Sequence, residues 1–174
     1  ELKQRFNLSF ELMSRAMVEA SATGNPFQEK NLLIARIDQL SRSEELIAKL
    51  DVTDWDLVIV DEAHKMSAHH YGNEIRKTKR YVLGEHLRER SRNFLLLTAT
   101  PHSGKSEEFQ SLLGLLNPNY EEIELPSASQ EQRKDIASHF IQRKRADVEY
   151  WMDEETMFPR RDPGEFDYNL TTQY

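Results

Sequence analysis

The chain has 174 residues, 38% hydrophobic and 30% charged, a balance that suits one ordinary globular domain with a real core. Its net charge of −7 counts against a free-standing nucleic-acid binder, and no apolar run nears the ~20 residues of a membrane span. With no cysteine it excludes disulfides and thiolate metal sites, and its start at Glu1 without a charged-then-apolar leader leads us to expect an excised segment.

In chain order, Leu8–Leu12 alternates weakly and suggests a short strand, and the apolar run Asn31–Ile37 has strand length. Ser41-x-x-Glu44 resembles a capping box, with Leu46, Ile47 and Leu50 on one face of the helix after it. Leu57–Val60 is fully apolar, the pattern of a strand buried on both sides. Ile75, Val82, Leu83 and Leu87 have helical spacing through a strongly charged segment. Phe94–Leu97 predicts the next buried strand, and Phe109, Leu112, Leu113 and Leu116 a helical stripe that Asn117-Pro118 stops. Residues 130–148 read as a further helix, and Phe166, Tyr168 and Leu170 as a strand. Strands alternating with helices predict an α/β fold, a mostly parallel sheet with helices on both faces. In such sheets functional residues lie just past the carboxyl ends of the strands. The basic clusters at Arg76–Arg80, Arg88–Arg92 and Arg143–Arg145 read as solvated helix faces.

Two strings occupy those strand ends: VDEAHK at Val60–Lys65 and LLLTATPH at Leu95–His102. A carboxylate pair held by a buried strand points into the crevice beyond it. Asp61 is placed to hold Mg²⁺ through water, and Glu62 to polarise a water that attacks a γ-phosphate. His64 could sense that site, and the hydroxyls of Thr98 and Thr100 could bond across to His64 or Glu62. The blander readings are a surface turn for Asp61 and Glu62 and a helix cap for the threonines.

Other features lead elsewhere. Gly104-Lys105-Ser106 imitates the end of a phosphate-binding loop, but Ala99 stands where the first glycine belongs and Pro101 has no N–H to offer. His64, His69 and His70 lie close together without metal-ligand spacing, and Trp55 and Trp151 read as packing residues.

Taken together, these strings resemble the first RecA-like lobe of a Swi/Snf-type, helicase-related ATPase of superfamily two, and most of all its bacterial RapA-like branch. Trp55–His69 is similar to that family's motif II, Thr78–Tyr81 to the helix after it, and Leu95–Lys105 to its motif III. Asn25-Pro26-Phe27 with Ile34–Asp38 and Leu40 resembles the motif before the acidic box. Phe140–Val148 resembles the end of the lobe, and Phe158-Pro159-x-Arg161 the run-in to a second one. The resemblance implies residues 1–150 as the C-terminal portion of the first lobe and 151–174 as that run-in. It implies ATP and Mg²⁺ as substrate and cofactor, with Asp61 and Glu62 in the metal and water roles and His64, Thr98 and Thr100 in the coupling role.

It further implies translocation on double-stranded DNA, a nucleoprotein complex such as RNA polymerase as a partner, and a cytoplasmic, nucleoid-associated location in a bacterium. The phosphate-gripping lysine, the adenine-reading glutamine and the arginine fingers of the family have no counterpart here, so the segment alone is expected to be nearly inert. Without the strand that precedes such a loop, Phe94–Leu97 is expected to carry an open edge, inviting self-association. A DEAH-box RNA helicase, a degenerate lobe acting as a scaffold, and a metal-dependent hydrolase built on His69 and His70 remain as alternatives.

Overall fold

Short apolar runs with polar punctuation give short elements here. The computed structural model describes residues 1–71, 74–101, 106–143, 147–148 and 164–165. The first elements are α1 (Leu2–Phe6), β1 (Glu11–Leu12), α2 (Arg15–Glu19), α3 (Pro26–Glu29), β2 (Leu33–Ile34), α4 (Ile37–Ser41) and α5 (Glu44–Leu50). Then come β3 (Val58–Val60), a 3-10 turn (Ala63–Met66), the hairpin β4 (His69–Tyr71) and β5 (Glu74–Arg76), and α6 (Lys79–Glu89). The last are β6 (Phe94–Leu96), α7 (Ser106–Leu116), a 3-10 turn (Pro118–Tyr120) and α8 (Gln130–Ser138).

The chain divides into two compact units, Glu1–His139 and Phe140–Tyr174. In the second, Asp147 and Val148 are helical. The Gly104-Lys105 pair, His102, Arg145, Trp151, the Phe158–Arg161 stretch and the strand expected around Tyr168 lie outside the described residues.

The fold of the first unit is α/β with parallel strand pairs, as the strand-helix alternation predicts and as a partial RecA-like lobe requires. β1 pairs in parallel with β2, and β3 in parallel with β6, the latter in the register Val58↔Phe94, Ile59↔Leu95, Val60↔Leu96. The β3–β6 ladder is extended by a bridge between Trp55 and Ser91. Trp55 also meets Phe27 edge-on, ring centroids 6.3 Å apart, so it packs inward rather than offering a stacking platform.

One face of these strands builds the core. Val60 is buried with Phe27, Leu50, Met66, Leu83 and Leu115, and Val58, Phe94 and Leu96 pack against that cluster. Each such side chain stabilises the fold by about 1.5–3 kcal/mol through burial. Gly84 lets α6 seat closely: a Cβ there would meet Leu115 at 3.0 Å and the Met66 sulfur at 3.4 Å.

Several local expectations change. The strands are not buried on both sides: Leu57, Ile59, Leu95 and Leu97 point the other way and are between 43% and 54% exposed. The period-two alternation supplies apolar side chains to both faces. Only one of those faces is covered among the described residues. Ser43, not Ser41, caps α5, its Oγ accepting from Leu46 N at 3.2 Å, because Ser41 is already committed to α4. Ile75 sits on β5, paired with His70, and α6 starts only after the Thr78 cap. The helix over 130–148 ends at Ser138, where the His139 N–H closes onto Ala137 and Ile136 carbonyls. Beyond it Ile141 is 79% exposed, so the apolar spacing there marks no buried helical face.

Candidate functional site

Parallel pairing of β3 and β6 brings the two sequence strings side by side. Leu97 continues the ladder past both strands: its N–H donates to Val60 O at 2.8 Å and its carbonyl accepts from Ala63 N at 2.9 Å. This backbone zipper fixes the segment carrying Asp61 and Glu62 beside the one carrying Thr98 and Thr100.

The turn after β3 is bent sharply. Glu62 adopts a left-handed conformation, φ 53 and ψ 44, which costs a non-glycine residue about 1–3 kcal/mol. Asp61 Oδ1 accepts from Glu62 N at 2.9 Å, supporting that turn, and both carboxylates are exposed. The 3-10 turn Ala63–Met66 follows at once, with Ala63 and Met66 wholly buried as its anchors.

His64 sits between the two strings. Its Nδ1 lies 3.1 Å from Thr98 Oγ1 and 3.2 Å from Glu62 Oε2. One ring nitrogen thus faces a carboxylate and a hydroxyl. Protonated, it can donate to either; unprotonated, it can accept from the threonine. Thr98 Oγ1 in turn accepts from Thr100 N at 3.2 Å. Glu62, His64 and Thr98 are therefore brought together, while Thr100 joins through its backbone N–H and its side chain is exposed. Asp61 touches this group through the Glu62 amide.

Behind His64 an open cavity of about 420 Å³ is lined by Asp38, Arg42, Lys65, Lys79 and Arg80 among others. Arg80 grips Asp38 with Nε at 2.8 Å and Nη2 at 2.7 Å, and its hydrogen bond holds the Asp38 carboxyl below the usual carboxylate range. His69 also lines this cavity. Among the described residues no three His, Asp or Glu side chains converge as a metal cluster would need, and no helix is long and apolar enough to cross a membrane.

Three hydroxyls support the site in roles that the sequence alone does not assign. Ser67 Oγ donates to His64 O at 2.9 Å, Thr78 Oγ1 lies 3.4 Å from Ser67 O, and Ser111 Oγ accepts from Ala68 N at 3.0 Å. Thr78 could have been found, since Ser or Thr before a helical run signals a cap. Ser111 gives no signal, because a lone serine within an apolar helical stripe looks like any tolerated small residue.

Residues 10–136 match the family model described as the SNF2-related domain. The chain is 33% identical over 138 residues to an RNA polymerase-associated protein RapA from Pseudomonas savastanoi, covering 79% of this chain and 14% of that relative. It is 38% identical over 121 residues to the RapA of Klebsiella pneumoniae, covering 68% of this chain and 12% of that relative. The chain therefore spans only a small part of the length of the curated relatives it matches. A family match over most of the chain and relatives above 30% identity leave one assignment: this chain belongs to the SNF2-related domain family, and within it is of the RapA-like, Swi/Snf type.

Proposed function

We propose that this chain supplies the magnesium-and-water half of an ATP site, with its coupling loop, in a longer Swi/Snf-type ATPase that moves on double-stranded DNA. The observation that carries the reading is the meeting of Glu62, His64 and Thr98 at the carboxyl ends of two paired parallel strands. Glu62 polarises the attacking water, and the His64–Thr98 contact passes the state of that site to the segment leading into α7.

The donor set suits Mg²⁺. Two adjacent, solvent-reaching carboxylates at a strand end match a hard cation that keeps its waters and takes one or two carboxylates with substrate phosphates. Asp61 would hold it; when bound, the ion neutralises charge on the phosphate oxygens. The sequence offers no Gly-rich phosphate cradle, so the 174-residue chain alone should turn over ATP negligibly.

Residues 151–174 lead, on this reading, towards a second lobe. The relatives are named for association with RNA polymerase, and we propose the same class of partner and a cytoplasmic, nucleoid-associated location for the longer protein. The strand face and the side of β6 that stay uncovered among the described residues favour self-association of the isolated chain. Comparing duplex DNA with single-stranded RNA as stimulants of ATP hydrolysis by the longer protein tests the nucleic-acid assignment. Preferential stimulation by duplex DNA is expected, and preference for the RNA would contradict it.

A further inference from the structure

Ser111 lies in the middle of α7 with none of its surface exposed. Its hydroxyl proton goes to Glu108 O, at 2.7 Å one turn back in the same helix. That leaves its lone pairs for Ala68 N, 3.0 Å away. Ala68 is itself fully buried, and Ser111 is the partner its N–H finds among the described residues.

Ala68 sits at the exit of the 3-10 turn Ala63–Met66 that presents His64. The intervening residue is held as well: Ser67 Oγ donates to His64 O at 2.9 Å, and the α6 cap Thr78 stands 3.4 Å from Ser67 O. The backbone leaving the turn is thus fixed at successive groups by hydroxyls from two helices. Of these, Ser111 satisfies a buried donor that has no water to fall back on, which makes its contact the hardest to lose without the backbone shifting.

We infer that Ser111 is a positioning residue: through Ala68 it holds the turn so that the His64 ring stays in contact with Thr98. The inference rests on the reading of His64 and Thr98 as the coupling pair. It ties α7 to both halves of the pair, by sequence to the Thr98–Thr100 segment and by this hydrogen bond to the turn of His64. A purely structural serine would stabilise the fold without governing the state of a ring elsewhere.

The test uses the ¹⁵N-labelled 174-residue chain and long-range ¹H–¹⁵N spectra of its six imidazoles, with His64 assigned by its loss in His64→Gln. Thr98→Val defines where the His64 Nδ1 signal falls without its partner, and Ile136→Ala, a buried site on α8, controls for general destabilisation. Ser111→Ala is expected to move the His64 signal towards the Thr98→Val position and to speed amide exchange at Ala68, while Ile136→Ala does neither. A His64 signal unmoved in Ser111→Ala overturns the proposal, and so does a signal that Thr98→Val itself leaves in place. If Ser111→Ala lacks a native spectrum, Ser111→Cys, close in size with a weaker acceptor, should give a smaller shift in the same direction; no shift overturns the proposal. These spectra do not depend on ATP turnover. Failure of the coupling reading shows separately, as Thr98→Val leaving stimulated hydrolysis by the longer protein unchanged.

Discussion

His64 Nδ1 and Thr98 Oγ1 lie 3.1 Å apart although 34 positions separate them in sequence. The β3–β6 register and the Leu97 ladder place them so, and the second oxygen near the same nitrogen, Glu62 Oε2, links this contact to the carboxylate we propose as the activator of water. Removing the hydroxyl by Thr98→Val in the longer protein should lower nucleic-acid-stimulated ATP hydrolysis by about two- to thirteenfold, the worth of one hydrogen bond of about 0.5–1.5 kcal/mol. Steady-state rates with and without DNA check this. Equal stimulated rates in variant and wild type would remove Thr98 from the coupling.

Tyr81 makes stability depend on alkaline pH. It is 1% exposed, and burial first, then the Glu121 carboxylate 3.1 Å from its hydroxyl, push its phenol well above the ordinary value near 10. A raised folded-state value means the neutral form is the one the fold stabilises. This contribution is therefore complete below pH 10 and falls as pH rises from there towards the folded-state value. Each pH unit in that window costs up to about 1.4 kcal/mol. Urea unfolding from pH 8 to 11 should show the decline in wild type and a shallower one in Tyr81→Phe. Identical slopes would mean that Tyr81 ionises as easily folded as unfolded.

The outward face of the β3–β6 pair should drive self-association of the isolated chain. Ile59 and Leu95 are register partners, 54% and 44% exposed, so their side chains form one apolar patch. Light scattering behind a sizing column should find wild type larger than monomer at micromolar concentration and Ile59→Lys/Leu95→Lys at monomer mass. A monomeric wild type would show that this face stays open in solution.

Much of this was legible in the sequence, for reasons particular residues make plain. VDEAHK and LLLTATPH announce themselves as whole strings, each closing an apolar strand, where a bare acidic pair would read as a surface turn, and parallel pairing of Val58–Val60 with Phe94–Leu96 then follows from the strand-helix alternation. What was not legible depended on the third dimension. The uncovered side of Ile59 and Leu95 could not be read, since a continuous apolar run says what a strand can bury and not what lies against it. The split of Ile75 from α6 was hidden because its spacing to Val82 suits a helix as well as chance. Ser111 was invisible because its meaning lies in Ala68, 43 positions away.

The central claim is that Glu62 activates water in an ATP site to which this chain contributes. It is tested most directly by ATP hydrolysis in the presence of duplex DNA, using a protein of the length of its relatives and its Glu62→Gln variant. Glutamine keeps the size of the side chain and removes the basic carboxylate. The account predicts hydrolysis reduced by at least about a hundredfold, as for loss of a general base, with ATP binding by equilibrium titration retained. Hydrolysis by Glu62→Gln at the wild-type rate would contradict it.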